Sequence, residues 1–323
     1  MAVTAKDVAR AAGVSAATVS YVINDHPGQK ITDATRKRVL EAAEQLGYQP
    51  SEAARALRRG TSQTVLLLIP DVTIGEVMAE LIDTLTDVLD AAGLSAATRR
   101  AAAGTLRQTW AGLRPAAVVV VGPLGPSGRQ ELRDAGVPVV DVLGPASGDD
   151  GQEIPQQHLG RMQVEHLTSR GHTAIGYAAP EDPRFALFLD GRLAGVRGAC
   201  RERGMPEPVV VPVRLDVASA EEAVARWLYA GVTAIAAYND EAAFAVLAGM
   251  HRLGMSAPDD LAVIGLDDIA LAALASPPLT TIDQRVDLLA EHLAALVLHR
   301  AHGAPQPPAF DWDVATLVVR EST

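Results

Sequence analysis

Residues 4–60 constrain this chain more than any other stretch. Thr4 and Asp7 stand three apart, the spacing of a capping box with Asp in place of the usual Glu, and Val3 and Val8 fall at the staple positions on either side. A helix is therefore expected to start at Ala5 and to end before Gly13, which can take the left-handed conformation a tight turn needs. Ser15 is placed to cap a second helix over 16–24, and Thr32 a third over 33–46 that Gly47 ends. Val8, Ala12, Val14, Val19, Val22 and Ile23 form one apolar seam, which Val39, Leu40, Ala43 and Leu46 of the third helix can close into a minimal core. A helix, a short turn with a central Gly and a second helix make the arrangement that sets a helix in the major groove of DNA.

Pro50 then breaks the chain. Ser51 can cap a short fourth helix over 52–59, ended by Gly60, whose apolar residues are mainly Ala53, Ala54, Ala56 and Leu57. Eight residues with so little to bury are marginal alone. This segment is expected to be ordered by DNA, by a twin copy, or by both.

Charge divides the chain at the same place. The whole carries a net charge of −11, which by itself argues against nucleic acid. Residues 1–60 hold nine Lys/Arg and six Asp/Glu, a surplus of +3, so the remainder carries −14. A basic head on an acidic body suggests a polyanion partner for the head alone. The single cysteine, Cys200, excludes an internal disulfide and fits a reducing compartment; with no His or Cys beside it in sequence, it reads as a small buried hydrophobe. No stretch approaches 18 uninterrupted apolar residues, and the N-terminus lacks a basic-then-apolar signal pattern. A cytoplasmic, nucleoid-associated protein without a membrane span is the expectation.

From Thr64 onward the pattern becomes an alternation of strands and helices. Strands are expected at 65–70, 116–121, 137–142, 174–178, 209–213, 234–238 and 262–266, with helices at 77–92, 130–135, 163–170, 193–203, 220–229 and 241–253. Repeated strand–helix units predict an α/β fold of parallel sheets with helices on both faces. The Ala-rich run over 96–103 reads as composition bias.

Residues 4–60 resemble the lactose-repressor/galactose-repressor (LacI/GalR) family of bacterial transcription regulators. The matching residues are Lys6-Asp7-Val8-Ala9, Ala12-Gly13-Val14-Ser15, Thr18-Val19-Ser20, Asn24, Tyr48 with Pro50, and Ala54-Arg55-Ala56-Leu57. The likeness continues in Gly171-His172, Ile175-Gly176, Asn239-Asp240, Gly265 with Asp267-Asp268, Pro278-Leu279-Thr280-Thr281-Ile282 with Gln284, and Val319-Arg320-Glu321-Ser322. The resemblance implies an all-α helix-turn-helix headpiece (1–50), a hinge helix (51–61) and a two-lobed body like periplasmic sugar-binding proteins (62–323). Lobe one would hold about 62–155 and 285–309, and lobe two about 156–284 and 310–323. It also implies a homodimer on a near-palindromic, double-stranded operator, a small-molecule effector between the lobes and no cofactor.

Carried over position by position, the resemblance makes Ala16, Ala17 and Tyr21 base-readers. Two alanines offer at most an apolar contact to a thymine methyl, and Tyr21 replaces the Arg usual in the family. Ser15, Thr18, Ser20 and Asn24 suit phosphate contacts, which position rather than specify, and Thr4 and Tyr48 complete the expected DNA-binding set of the head. Leu57 is expected to wedge into the minor groove at the operator centre, with Ala54, Arg55 and Arg58 beside it. In the body, Arg192, Asn239, Asp267 and Gln284 are the expected effector-binding set, suited to hydroxyl-rich ligands. Lobe one departs from the family: Ile74-Gly75-Glu76-Val77 replaces a frequent aromatic wall, Leu143-Gly144 an Asp, and Gln156-Gln157 an Asp-Asn pair. A simple sugar is therefore in doubt as effector. Phe185 and Phe188 can supply a ring to the cleft or pack in the core.

Two other readings compete. A nicotinamide-dinucleotide enzyme would use Gly122, Gly125 and Gly128 with Asp141. The glycine spacing is wrong for that fingerprint, and Pro123 and Pro126 lack the N–H groups a pyrophosphate needs. A sensor-only binding protein would not need the head. His299 and His302 form a helical pair without a third metal ligand in view.

Overall fold

The computed structural model describes residues 3–23, 31–48, 62–69, 72–100, 110, 113–122, 126–142 and 156–323. The chain divides into two compact units, a head over 1–63 with 113–115 and a body holding the rest.

In the head, α1 (Ala5–Ala12), α2 (Ala16–Ile23) and α3 (Asp33–Gln45) follow the caps. The Asp7 carboxylate accepts from both the backbone N–H (3.0 Å) and the hydroxyl (2.6 Å) of Thr4. Gly13 ends α1 at φ 65°, a left-handed turn open to glycine at little cost. Thr18 N–H donates to Ser15 Oγ at 3.0 Å, and Thr35 N–H to Thr32 Oγ1 at 3.3 Å. Val8, Val19, Val22 and Val39 are buried at the centre of the three helices. Leu40 on α3 and Leu46 at its C-cap, expected in this core, are instead exposed. The hinge segment lies outside the described residues.

The body holds two four-stranded parallel sheets. The first, in the order β2-β1-β3-β4, comprises β1 (Thr64–Ile69), β2 (Ser95–Arg100), β3 (Ala117–Val120) and β4 (Val139–Asp141). Leu67 of β1 pairs with Thr98 on one side and Val119 on the other. Helices α4 (Glu76–Ala91) and α5 (Pro126–Asp134) complete its strand–helix units. The second sheet, in the order β6-β5-β7-β8, comprises β5 (Ile175–Pro180), β6 (Val209–Val213), β7 (Ala234–Ala237) and β8 (Ala262–Ile264). Its helices are α6 (Gln156–Ser169), α7 (Ala186–Glu202), α8 (Val217–Tyr229) and α9 (Asp240–Arg252).

Each sheet has its own core. Strands β1 and β3 read as unbroken apolar runs because both of their faces are covered. The chain returns from the second sheet through β9 (Thr281–Asp283), and α10 (Val286–His302) then packs Leu289, Leu293 and Val297 into the core of the first. It crosses back to β10 (Thr316–Val318), which pairs antiparallel with β9. Cys200 is buried in the second core, and that burial raises its thiol pKa.

Candidate ligand cleft and DNA-facing head

Both sheets share one strand order, and in such sheets the space for a ligand opens beyond the C-terminal ends of the strands. A cleft lies there, lined from both halves of the body. Thr73 follows β1, Val121 follows β3, Phe185 follows β5, Tyr238 follows β7 and Asp267 follows β8. Gln163, buried on α6, ties two of these strand ends by donating to the carbonyls of Ala237 (2.8 Å) and Gly265 (2.9 Å).

Among the described residues, Arg192 is the only cation lining the cleft. It reaches in from α7, which lies tight against α6. A Cβ on Gly195 would fall 2.0 Å from the carbonyl oxygen of Gln157, and one on Gly160 2.1 Å from that of Arg192. Arg192 Nε donates to Gln156 Oε1 and Nη1 to the Tyr238 carbonyl, both at 2.7 Å. Its Nη2 lies 3.7 Å from Asp267 Oδ1, and the guanidinium stacks 4.6 Å from the Tyr238 ring centre. Gln284 donates to the same Asp267 oxygen at 2.5 Å. Arg192, Asn239, Asp267 and Gln284 therefore all line one space.

Their work differs. Asn239 caps α9, accepting from Ala242 N–H at 3.0 Å and donating to Glu241 Oε2 at 3.0 Å. Asp267 adopts φ 127° and the next residue, Asp268, φ 51°, backbone regions that non-glycine residues enter only when the surroundings hold them there. The Asp267 N–H donates to the Ile282 carbonyl (2.8 Å), and Asp268 accepts from Arg320 (2.6 Å). Burial pushes the Asp267 carboxyl up to about 7 against the opposing pull of Arg192. Burial likewise takes Asp240 to about 6, although it accepts from Thr281 Oγ1 (2.5 Å) and Ile269 N–H (3.0 Å).

Several cleft residues had no sequence signal of this role. Gln156, which reads in sequence as a lost polar position, holds Arg192. Tyr238 supplies a ring face and a carbonyl, and Trp312 lines the cleft from outside every matching motif. Phe185 and Phe188 do both things expected of them, packing on the second core and lining the cleft; Phe185 meets Tyr238 edge-on at 5.4 Å. Asp141, the acid of the dinucleotide reading, pairs with Arg129 through one of its oxygens. His299 Nδ1 meets the Ala304 carbonyl at 2.6 Å.

On the head, Ser15, Ala16 and Ala17 are exposed at the start of α2, with Thr18, Ser20 and Tyr21 half-buried along it. Ser15 Oγ and Thr18 Oγ1 share a hydrogen bond of 2.9 Å. Thr4 is exposed, while Tyr48 packs against the head core. Asn24, Ala54, Arg55, Leu57 and Arg58 lie outside the described residues.

A helix-turn-helix head and a two-sheet body with a cleft at its strand ends define a DNA-binding regulator of the sensor-coupled class. The comparisons agree. Residues 4–51 match the lacI family of bacterial regulatory proteins and residues 164–323 a periplasmic binding protein-like domain. The chain is 30% identical to the HTH-type transcriptional regulator GalR of Escherichia coli K12 over 336 aligned positions, covering 99% of this chain and 95% of that protein. It is 31% identical to the HTH-type transcriptional repressor PurR of Photobacterium profundum, covering 92% and 91%. Among solved structures, the lac repressor dimer bound to operator and the anti-inducer ONPF superposes with a TM-score of 0.80 at 22% identity, over 100% of this chain and 99% of that one. The cellobiose complex of the transcriptional regulator CelR gives 0.67 at 27% identity, over 99% and 100%. The chain belongs to the lacI family of bacterial regulatory proteins and is a DNA-binding transcriptional regulator. Among the described residues, no helix is long and apolar enough to cross a membrane.

Proposed function

We propose that this regulator is a cytoplasmic, non-enzymatic repressor that binds a near-palindromic operator as a homodimer and is controlled by a small molecule in the body cleft. Residues 1–50 form the reading head and 51–61 the hinge. The two lobes divide at about 155 and 284, with the C-terminal strand returning to the second. The observation that carries the reading is the α1–Gly13–α2 unit, which buries Val8, Val19 and Val22 and leaves Ser15, Ala16 and Ala17 at an open helix start. Arg192, Asn239, Asp267 and Gln284 hold the effector. The ligand favours one arrangement of the lobes, and that arrangement decides whether paired hinge helices form on DNA.

The test is selection of bound sequences from random DNA by the full-length protein, followed by gel-shift titration at several salt concentrations. A near-palindrome bound with a steep salt dependence is expected. Recovery of no enriched sequence, or retention only of single half-sites by a monomer, would sink the reading.

A further inference from the structure

The cleft is chemically one-sided. Toward the first sheet its described wall is mostly aliphatic, built from Val77, Met78, Leu81, Val121, Val286 and Leu289, with the Thr73 hydroxyl beside them. None of these six donates a hydrogen bond, and only the Met78 thioether accepts one, weakly. Toward the second sheet lie the carboxylates of Asp240, Glu241 and Asp267, with Glu76 on the first-sheet side, against a single guanidinium among the described residues, that of Arg192.

That guanidinium is already committed. Two of its donors go to Gln156 and Tyr238, a further edge faces Asp267, and a face covers the Tyr238 ring. An incoming anion would meet an excess of like charge and compete with Asp267 for the cation. Acceptor capacity remains on the other side of the balance. Glu241 gives Oε2 to Asn239, and Asp267 gives Oδ1 to Gln284 and Arg192, so the second oxygen of each carboxylate is left with no hydrogen bond among the described residues. Independently, two lining atoms, Trp312 Nε1 and Thr73 Oγ1, are buried without a hydrogen-bond partner among the described residues. A buried indole N–H that nothing accepts marks a place for an oxygen on whatever fills the space.

Taking the cleft as the ligand site, we propose that it is built for an amphiphilic amine rather than for a sugar, with the apolar body on the aliphatic wall, the ammonium group toward Asp267 and Glu241, and an oxygen acceptor at Trp312. A hexose carries hydroxyls around its whole rim. Those turned to the aliphatic stretch of that wall lose water without a partner, because the described polar atoms nearest it are the Thr73 hydroxyl and the Trp312 indole N–H. An ammonium facing Asp267 favours its ionised form and meets the surplus of carboxylates with the opposite charge.

The experiment uses the full-length protein and three probes: tyramine, phloretic acid (which puts a carboxylate in place of the amine on the same hydroxyphenyl chain) and galactose. Binding is read by calorimetry, with quenching of tryptophan emission as a second signal. Tyramine is expected to bind at least tenfold more tightly than either other probe, a difference of about 1.4 kcal/mol. Asp267→Asn and, separately, Glu241→Gln are each expected to erase most of that preference. Glu241 is half-exposed, so its variant keeps the test alive if the Asp267 variant does not fold. Tighter binding of phloretic acid, or no tyramine binding in the millimolar range, overturns the proposal. Tighter binding of galactose overturns it and leaves the cleft as the ligand site. Operator binding by the unliganded protein is scored separately, and its failure would remove the repressor reading without touching the ligand's chemistry.

Discussion

Gly265 lies against Asp240 so closely that a Cβ at Gly265 would fall 2.0 Å from Asp240 Oδ1. The carboxylate cannot retreat. It is fully buried, and it holds Thr281 Oγ1 with one oxygen and Ile269 N–H with the other. Gly265 N–H also donates to the Thr280 carbonyl at 2.9 Å, which fixes the backbone from the other side. Gly265→Ala is therefore expected to destabilise the body by about 3 kcal/mol, the upper range for overpacking a core. Urea unfolding of the variant against the parent measures it. A loss under about 1 kcal/mol would mean that the Asp240 loop yields where the geometry holds it fixed.

The Arg192–Asp267 pair should show its coupling in a double-mutant cycle. Arg192→Met leaves the buried Asp267 carboxylate with Gln284 alone, and breaking one side of a buried pair typically costs about 3–5 kcal/mol. In an Asp267→Asn background the same change removes only the bonds to Gln156 and the Tyr238 carbonyl, so its cost should fall to about 1–3 kcal/mol. Equal costs in the two backgrounds would show that Arg192 serves as a brace for α6 and the β7 end and not as the partner of Asp267. Because the two residues touch, non-additivity is the quantity to measure.

Asp267 also sets a pH dependence with a definite sign. Its carboxyl moves from an ordinary value of 3.8 up to about 7 on folding. The charged and titratable groups around it are Arg192, Asp240 and Glu241, with Gln284 as a neutral donor. Between these two pH values the folded state keeps a proton that the unfolded chain has lost. Stability from this group is thus full below the unfolded pKa, declines as pH rises through the window and is lost above about 7. Within the window the slope is at most about 1.4 kcal/mol per pH unit. Asp240, raised to about 6, adds in the same direction. Asp267→Asn should flatten the pH profile of the melting temperature between about pH 4 and 7 relative to the parent. Parallel profiles for parent and variant would show that Asp267 ionises normally in the fold.

Much of this architecture was legible because caps and apolar runs are local. Thr4, Ser15 and Thr32 placed the starts of the head helices within a residue, since each helix needs its first N–H groups satisfied nearby. The strands buried on both faces were equally plain. Strand β2 was not: Ser95–Arg100 contains Ala-Ala-Thr-Arg-Arg, none of it buried, and it is a strand only because β1 pairs along it. Sequence treated that run as composition bias. The cleft divides in the same way. Arg192, Asn239, Asp267 and Gln284 could be picked out through resemblance, but that Asn239 is spent largely on capping α9 could not. Nor could the meeting of Asp240, Thr281 and Gly265, which come from the start of α9, the start of β9 and the end of β8. Gln156 and Trp312 were missed because a glutamine on a helix and a tryptophan near a chain end carry no spacing that marks a cleft.

The head supports one further prediction about where operator specificity resides. Ala16 and Ala17 occupy the exposed start of α2 and have no polar side-chain atom, while the hydroxyls of Ser15 and Thr18 are shared with each other. Such a surface can contact thymine methyls but offers no bidentate pairing to a base edge. Discrimination must then lean on deformation of the operator centre, where Leu57 is proposed to enter the minor groove and open a base step. Leu57→Ala should weaken binding to the selected operator by on the order of 2 kcal/mol, roughly thirtyfold, with the melting temperature of the free protein unchanged. The loss should be larger on operators whose central step is a flexible pyrimidine–purine step than on those with a stiff one, because only the former yield readily to the wedge. Gel-shift titration of parent and variant on both operator types decides it. Equal affinities would remove Leu57 from the interface and return the burden of specificity to Tyr21.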